Sequence, residues 1–335
     1  MTLKKIIRVT KRYAQEIKLD FDNQDYAQIR HLFKILPRQL ILKYPRNISI
    51  EPINACNLNC DFCSSPPELI ERPKCAMQLE EFSQTIDKIK NYTHHIWLFL
   101  AGEPYLNPKF CEMVAYATKN NLHTTTSSNA NLIDKSIAQK IVSSGLDKLI
   151  VSLDGTDHET YQKMRKGGDY QKVIEAIKFI NAEKKIQNKL KPQIELQFIF
   201  SKVNQHQKDE FKKIAQSLKV DYCVKSLGIP SWIFDKQQSD QIASQYLPDS
   251  GKRRYDNNKN LKRDFVCSNV QRSFILADGT VCICCYDIKG KYKMGNIFEQ
   301  NFLDIWHSQK YINTRELMKK RKLPLCQVCG ETNEL

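Results

Sequence analysis

Cys56-Asn57-Leu58-Asn59-Cys60-Asp61-Phe62-Cys63 is the stretch that decides how the chain is read. It follows a short β-prone run, Asn47-Ile48-Ser49-Ile50-Glu51-Pro52-Ile53-Asn54. Three thiols spaced by four and three residues on one loop can point into one small volume. The polar Asn57, Asn59 and Asp61 between them suit a loop better than a packed core. Three thiolates are one too few for a closed tetrahedral zinc site or a fully protein-ligated iron–sulfur cluster. A [4Fe–4S] cluster held this way keeps one iron free of protein, and that iron can take a small chelating ligand.

Working outward, the chain has 335 residues, enough for one large domain and an appendage. Its hydrophobic fraction of 41% with 27% charged residues is ordinary for a soluble globular protein. No apolar run reaches the roughly 18–20 residues needed to span a bilayer. The basic N-terminus is interrupted by Arg8 and Lys11-Arg12, unlike a signal segment. Twelve cysteines in a chain read as cytoplasmic point to metal binding or catalysis rather than disulfides. The net charge of +15 raises the question of nucleic acid. The Lys and Arg residues are dispersed along helix-like faces, however, which argues for solvation and against a nucleic-acid partner.

Residues 1–45 read as a helical N-terminal extension, with segments near 2–17 and 24–43 and Pro37 interrupting the second. From residue 46 to 227, β-prone runs (47–53, 95–100, 122–127, 147–153, 193–200 and 219–225) alternate with amphipathic stretches (78–92, 108–119, 133–144, 157–184 and 205–217). This alternation predicts an α/β domain with a parallel sheet. Active sites in such domains lie at the carboxyl ends of the strands, where the cysteine loop falls. Residues 228–265 read as a connector, and 266–335 as a second cysteine-rich unit. Asp278-Gly279 in that unit reads as a hairpin turn.

Several strand ends are rich in polar residues. Ala101-Gly102-Glu103-Pro104 closes the second strand, Ser127-Ser128-Asn129 the third, and Ser152-Leu153-Asp154-Gly155 the fourth. Tyr161, Arg165 and Gly167-Gly168 follow on the next helical stretch, and Asn204 follows the fifth strand. Cys267, Cys284 or its neighbour Cys285, Cys326 and Cys329 form a second potential ligand set. Four thiolates there could hold a second [4Fe–4S] cluster or a structural zinc ion.

Taken together, C-x3-C-x2-C with an aromatic before the last Cys, the Gly-Glu-Pro turn and the S-x-D-G strand end resemble the radical S-adenosylmethionine (radical SAM) superfamily. The C-terminal unit resembles its SPASM/twitch type of auxiliary-cluster domain. The resemblance implies a partial (β/α)6 barrel and a [4Fe–4S] cluster on Cys56, Cys60 and Cys63, whose open iron is chelated by SAM. It implies that Gly102 and Glu103 approach the SAM amino group, Ser152 and Asp154 its ribose, and Arg165 its carboxylate. Ser128, Asn129 and Asn204 would also lie near the cofactor. No cysteine follows Cys329 in the sequence given, which favours one auxiliary [4Fe–4S] cluster, with zinc as the alternative.

The implied activity is reductive SAM cleavage, on an electron from a donor such as flavodoxin or ferredoxin, followed by hydrogen-atom abstraction from a small-molecule or peptide substrate. The short N-terminal extension leans the expectation toward oxidation or epimerisation of a sugar- or aminocyclitol-like molecule, with modification of a ribosomally made peptide or protein side chain as the alternative. Cys223, on the last barrel strand, is the candidate hydrogen donor for an epimerase. A non-catalytic iron–sulfur or zinc adaptor for RNA would explain the cysteines but not Glu103, Asp154 and Arg165 at or just after successive strand ends.

Overall fold

The computed structural model describes residues 3–63, 67–229, 232–248, 267–327 and 329, with side chains from Tyr13 onward; those of residues 67 and 68 are not described. Half of the connector expected at 228–265, and the last six residues, lie outside this set; the described half holds a helix over Lys236–Tyr246.

Two helices, α1 (Leu3–Asp22) and α2 (Tyr26–Ile41), come first. α2 runs through Pro37, contrary to the expected interruption. A proline deprives the carbonyl four residues earlier of its donor. That residue is Phe33, which like Pro37 lies on the exposed face, where water replaces the lost bond.

Six parallel strands follow: β1 (Asn47–Ile50), β2 (His95–Trp97), β3 (His123–Ser128), β4 (Lys148–Ser152), β5 (Gln193–Phe200) and β6 (Asp221–Ser226). Between them run a one-turn α3 (Pro67–Ile70), then α4 (Leu79–Ile89), α5 (Phe110–Lys119), α6 (Lys135–Ser143), α7 (His158–Met164), α8 (Tyr170–Ile186) and α9 (Lys208–Ser217). This is the (β/α)6 order of an α/β partial barrel. Strand alternation divides the residues between two faces. Leu149 and Val151 of β4, and Ile194, Leu196 and Phe198 of β5, join the hydrophobic core, as do Ile177 and Ile180 of α8. Each such side chain contributes about 1.5–3 kcal/mol by leaving water. The alternate residues, including Ser152 and Gln197, face the inside of the barrel and reach the site.

The single helix expected at 157–184 is two. α7 stops at Arg165, Gly167 takes φ +87°, and Asp169 caps α8 by accepting from the Gln171 and Lys172 amides. Gly168 sits where a Cβ would lie 2.8 Å from the Tyr161 ring. The break turns Arg165 back toward the cysteine loop.

The cysteine-rich unit is joined to the barrel through the sheet itself. β7 (Arg272–Ile275) pairs parallel with β1, Asn47 against Arg272 through Ile50 against Ile275. β8 (Thr280–Cys282) and β9 (Gly295–Asn296) then continue antiparallel, giving nine strands in the order β6-β5-β4-β3-β2-β1-β7-β8-β9. The β7–β8 turn is at Asp278-Gly279 as expected, with Gly279 at φ +79°. The Arg72 Nη2 group donates to both Glu51 carboxylate oxygens, at 2.9 and 2.8 Å, while its Nε donates to the Ile288 carbonyl at 2.6 Å. The same Glu51 accepts from the Ala277 amide at 3.0 Å. One buried ion pair therefore ties the end of the first strand to the C-terminal unit.

Candidate active site

At the carboxyl ends of the strands lies a cavity of about 340 Å3, within the range of roughly 300–1,000 Å3 usual for small-molecule sites. Cys56, Cys60 and Cys63 line it together, with Gly102, Glu103, Ser128, Asn129, Ser152 and Arg165. The loop is folded by its own backbone: the Cys63 amide donates to the Cys60 carbonyl at 3.0 Å, and the Asn59 amide to the Lys166 carbonyl at 3.0 Å. Asn129 Nδ2 donates to Asn57 Oδ1 at 2.9 Å and lies 3.8 Å from the Cys56 sulfur. Burial pushes the Cys56 thiol up to about 12 and the Cys60 thiol up to about 11. Thiols in that state are neutral and poor nucleophiles near pH 7, whereas a bound metal deprotonates its thiols outright. The donor set therefore suits a metal centre and not a free cysteine nucleophile.

Gly102 and Glu103 are set by a tight turn. Gly102 has φ +77°, and the Glu103 amide donates to the Ala55 carbonyl at 2.8 Å. Ala101 is buried in a small apolar cluster with Ile70, Ile233 and Ile288. A Cβ on Gly102 would lie 2.4 Å from the Ile53 carbonyl oxygen and 2.6 Å from that of Ala55, both rigid backbone atoms. Gly102→Ala is therefore expected to lose about 1–3 kcal/mol of stability from backbone strain alone. It should also displace the loop carrying Cys56, so a lowered melting temperature together with reduced iron uptake is the expected result. Unchanged values of both would contradict this packing.

The Glu103 carboxylate is 2% exposed and receives three donors: Ser128 Oγ at 2.7 Å, the Asn129 amide at 2.8 Å and the Tyr105 amide at 3.3 Å. Burial raises its pKa to about 7 despite those bonds. An anion so fixed, on a cavity wall, is prepared to meet a cationic group.

Asp154 and Asn204 are placed differently. Asp154 is fully buried and absent from the cavity wall; it accepts from Arg165 Nε at 2.6 Å and from the Ile199 amide at 2.5 Å. Asn204, equally buried, donates to the Asp154 and Ile199 carbonyls and accepts from the Ser201 amide. These two hold the frame that aims Arg165; the guanidinium itself lines the cavity, over the Phe62 ring at 5.7 Å. Cys223 does not line the cavity either. It stands opposite Gln197 in the β5–β6 register, one inward-facing position below Lys225. Gln197, Lys225, Ser226 and Tyr286 do line it and were not expected from the sequence. The alternation Gln193, Glu195, Gln197 along β5 was the available signal, a polar face on a strand otherwise apolar.

Tyr286 follows the second cysteine set directly. Asn269 Nδ2 lies 3.3 Å from the Cys284 sulfur and 3.4 Å from that of Cys285. Cys267 influences the ionisation of both Cys284 and Cys326, so these thiols are neighbours. Arg321 Nη2 donates to the carbonyls of Cys326 and Cys329, at 3.0 and 3.4 Å. Cys284 is buried and Cys285 half-buried, and both lie within this group.

Comparison with known proteins agrees with this chemistry. Residues 50–186 match the model of the radical SAM superfamily, and residues 267–330 that of the SPASM iron–sulfur cluster-binding domain. An AdoMet-dependent heme synthase of Methanosarcina barkeri is 28% identical over 137 residues, which cover 41% of this chain and 39% of that protein. The chain thus spans well under two thirds of that relative's length. Among solved structures, Streptococcus suis SuiB bound to precursor peptide SuiA is similar with a TM-score of 0.63 at 18% identity, covering 90% of this chain and 74% of that one. BtrN in complex with AdoMet and 2-DOIA is similar with a TM-score of 0.54 at 17% identity, covering 85% and 93%. These likenesses concern the fold. The two matched domains imply a [4Fe–4S] cluster with SAM and auxiliary iron–sulfur chemistry. The chain belongs to the radical SAM superfamily and carries a C-terminal SPASM iron–sulfur domain.

Proposed function

We propose that the protein is a radical SAM oxidoreductase whose substrate is a peptide or protein segment lying along the open edge of the barrel. The observation that carries this reading is β6. Among the described residues it has a strand neighbour on one side only, and its last residues, Lys225 and Ser226, line the cavity. An edge strand offers main-chain groups to an extended chain, which then presents alternate side chains to one face. The likeness to SuiB, solved with its precursor peptide, supports the same choice. A second reading, oxidation of a sugar- or aminocyclitol-like molecule, is supported by the likeness to BtrN and by the polar Gln197 and Ser152 in the wall.

When bound, the cluster and SAM would supply radical hydrogen-abstraction chemistry, on an electron from a donor such as flavodoxin or ferredoxin. The chain's own residues bind and orient. Cys56, Cys60 and Cys63 would hold the cluster. Glu103, already fixed by Ser128 and Asn129, would meet the SAM amino group, and Ser152 its ribose. Arg165 would meet the SAM carboxylate, with Asp154 and Asn204 acting through it. Leu58, Phe62 and Phe99 keep water from the reacting centre. Cys267, Cys284 or Cys285, Cys326 and Cys329 close around one auxiliary cluster. We assign residues 46–227 to the barrel and 266–335 to the auxiliary unit. Among the described residues no helix is long and apolar enough to cross a membrane. No disulfide joins any of the twelve cysteines.

The test is anaerobic incubation of reconstituted enzyme with SAM, dithionite and peptides encoded beside its gene. The expected result is 5′-deoxyadenosine together with a peptide lighter by two hydrogens. Deoxyadenosine with oxidised 2-DOIA and unchanged peptides would move the assignment to the second reading. Cys223→Ala is expected to leave this turnover largely intact, since the thiol is off the cavity wall. Loss of product in that variant, with solvent deuterium in the wild-type product, would make the enzyme an epimerase.

A further inference from the structure

At the opposite end of the barrel, beneath the amino ends of the strands, α1 covers a buried polar chamber. α1 contributes Glu16 and Asp20, four residues apart on one helix face. His94 and His95 stand at the start of β2, His123 at the start of β3, Asp147 just before β4 and Lys191 just before β5. All seven are at most 6% exposed. Some of these groups are spent on one another. His95 contacts Glu16 Oε1 at 3.2 Å through Nδ1 and Thr125 Oγ1 at 2.9 Å through Nε2. The Lys191 ammonium contacts Asp20 Oδ1 at 2.8 Å, and also Asp147.

Several ligand atoms of the chamber lack a hydrogen-bond partner, and those of three residues converge. Both ring nitrogens of His94, Nδ1 of His123 and Oδ2 of Asp20 are buried without a hydrogen-bond partner. Leaving such groups unsatisfied costs about 1–3 kcal/mol each, so an assembly of them calls for an explanation. Asp20, His94 and His123 each offer one ligand atom, and the three atoms lie within 4.8 Å of one another. A second trio, Glu16, His95 and His123, meets the same distance criterion, but His95 is already engaged at both nitrogens.

Charge points the same way. Among the described side chains, and setting aside Asp25, whose own is 44% exposed, three buried carboxylates (Glu16, Asp20 and Asp147) face one ammonium, that of Lys191. With neutral imidazoles the surplus is two negative charges, which a divalent cation cancels. Two imidazoles and a carboxylate suit zinc or another borderline transition ion, with ligands drawn to about 2.0–2.2 Å.

We propose that Asp20, His94 and His123 form a structural site for a divalent transition-metal ion, Zn2+ being the natural occupant, which fastens α1 to the floor of the barrel. A water or Glu16, whose Oε2 is 3.9 Å from His94 Nε2, completes the coordination. The site is separate from both cysteine sets.

The experiment uses the whole reconstituted protein, produced in zinc-supplemented medium and freed of loose metal by gel filtration. Elemental analysis should find one zinc per chain in addition to the cluster iron. X-ray absorption at the zinc edge should show nitrogen and oxygen neighbours at about 2.0–2.1 Å. His94→Gln and His123→Gln should each lower zinc to below a tenth of an equivalent, while Cys326→Ala leaves it in place. Wild-type protein without zinc, or zinc with a sulfur shell near 2.3 Å, overturns the proposal. In the first case the chamber is balanced by protons on its imidazoles, and in the second the zinc belongs to the cysteines. The wild-type spectrum decides even if the histidine variants fail to accumulate.

Discussion

Alanine at any one of Cys56, Cys60 or Cys63 should abolish 5′-deoxyadenosine formation and remove about four iron atoms per chain, one four-iron cluster. These are the only cysteines on the cavity wall, so no neighbouring thiol can take over a lost ligand. The loop is also pinned on both sides, by the Asn59 bond to Lys166 and the Asn129 bond to Asn57, which prevents it from sliding to bring in another donor. Two thiolates cannot hold a cubane against loss. Iron and sulfide analysis beside a deoxyadenosine assay checks the expectation. Cleavage retained in any single variant would remove the basis for the site as described.

A second large effect belongs to the other cysteine set. Cys326→Ala and Cys329→Ala should stop product formation while leaving SAM cleavage intact. In a dehydrogenation the substrate radical becomes a closed-shell product by giving up an electron and a proton, and the electron needs an acceptor nearby. The second thiol set lies beside Tyr286, which lines the cavity, while its ligands share no residue with the first loop. The two halves of the chemistry therefore separate by mutation. The ratio of product to deoxyadenosine is the measurement, expected to fall toward zero with deoxyadenosine near the wild-type rate. Product formation at the wild-type ratio would confine the C-terminal cluster to a structural role.

The elements of the barrel were legible because each strand and helix leaves a local period in the sequence. Each of the six β-prone runs marks one of the six strands, β3 and β6 ending one residue beyond the expected segment, and Asp278-Gly279 marked the hairpin. What was not legible depends on partners far away in the chain. The cysteine-rich unit looked like an appendage, because nothing local to Arg272–Ile275 says that its neighbour is Asn47–Ile50. Asp154 was recognised by its strand-end motif, but a motif names a position and not a partner; the Arg165 guanidinium, brought back by the helix break at Gly167-Gly168, takes up its carboxylate. Lys225 and Tyr286 reach the cavity from elements that meet only after folding. His94 and His123 stand 29 positions apart and belong together only because parallel pairing sets His95 against His123.

The union of β1 with β7 also orders events during synthesis. The strand that leads into the cysteine loop gains its second neighbour only when a segment some 225 positions later has emerged from the ribosome. Until then β1 presents a bare edge, and Glu51 lacks the Ala277 amide that helps neutralise it. Contacts so distant in sequence form late and slowly. Cluster assembly before that segment emerges would therefore meet a half-built cradle, so maturation should follow the appearance of β7. During that interval the exposed edge is the segment most in need of a chaperone.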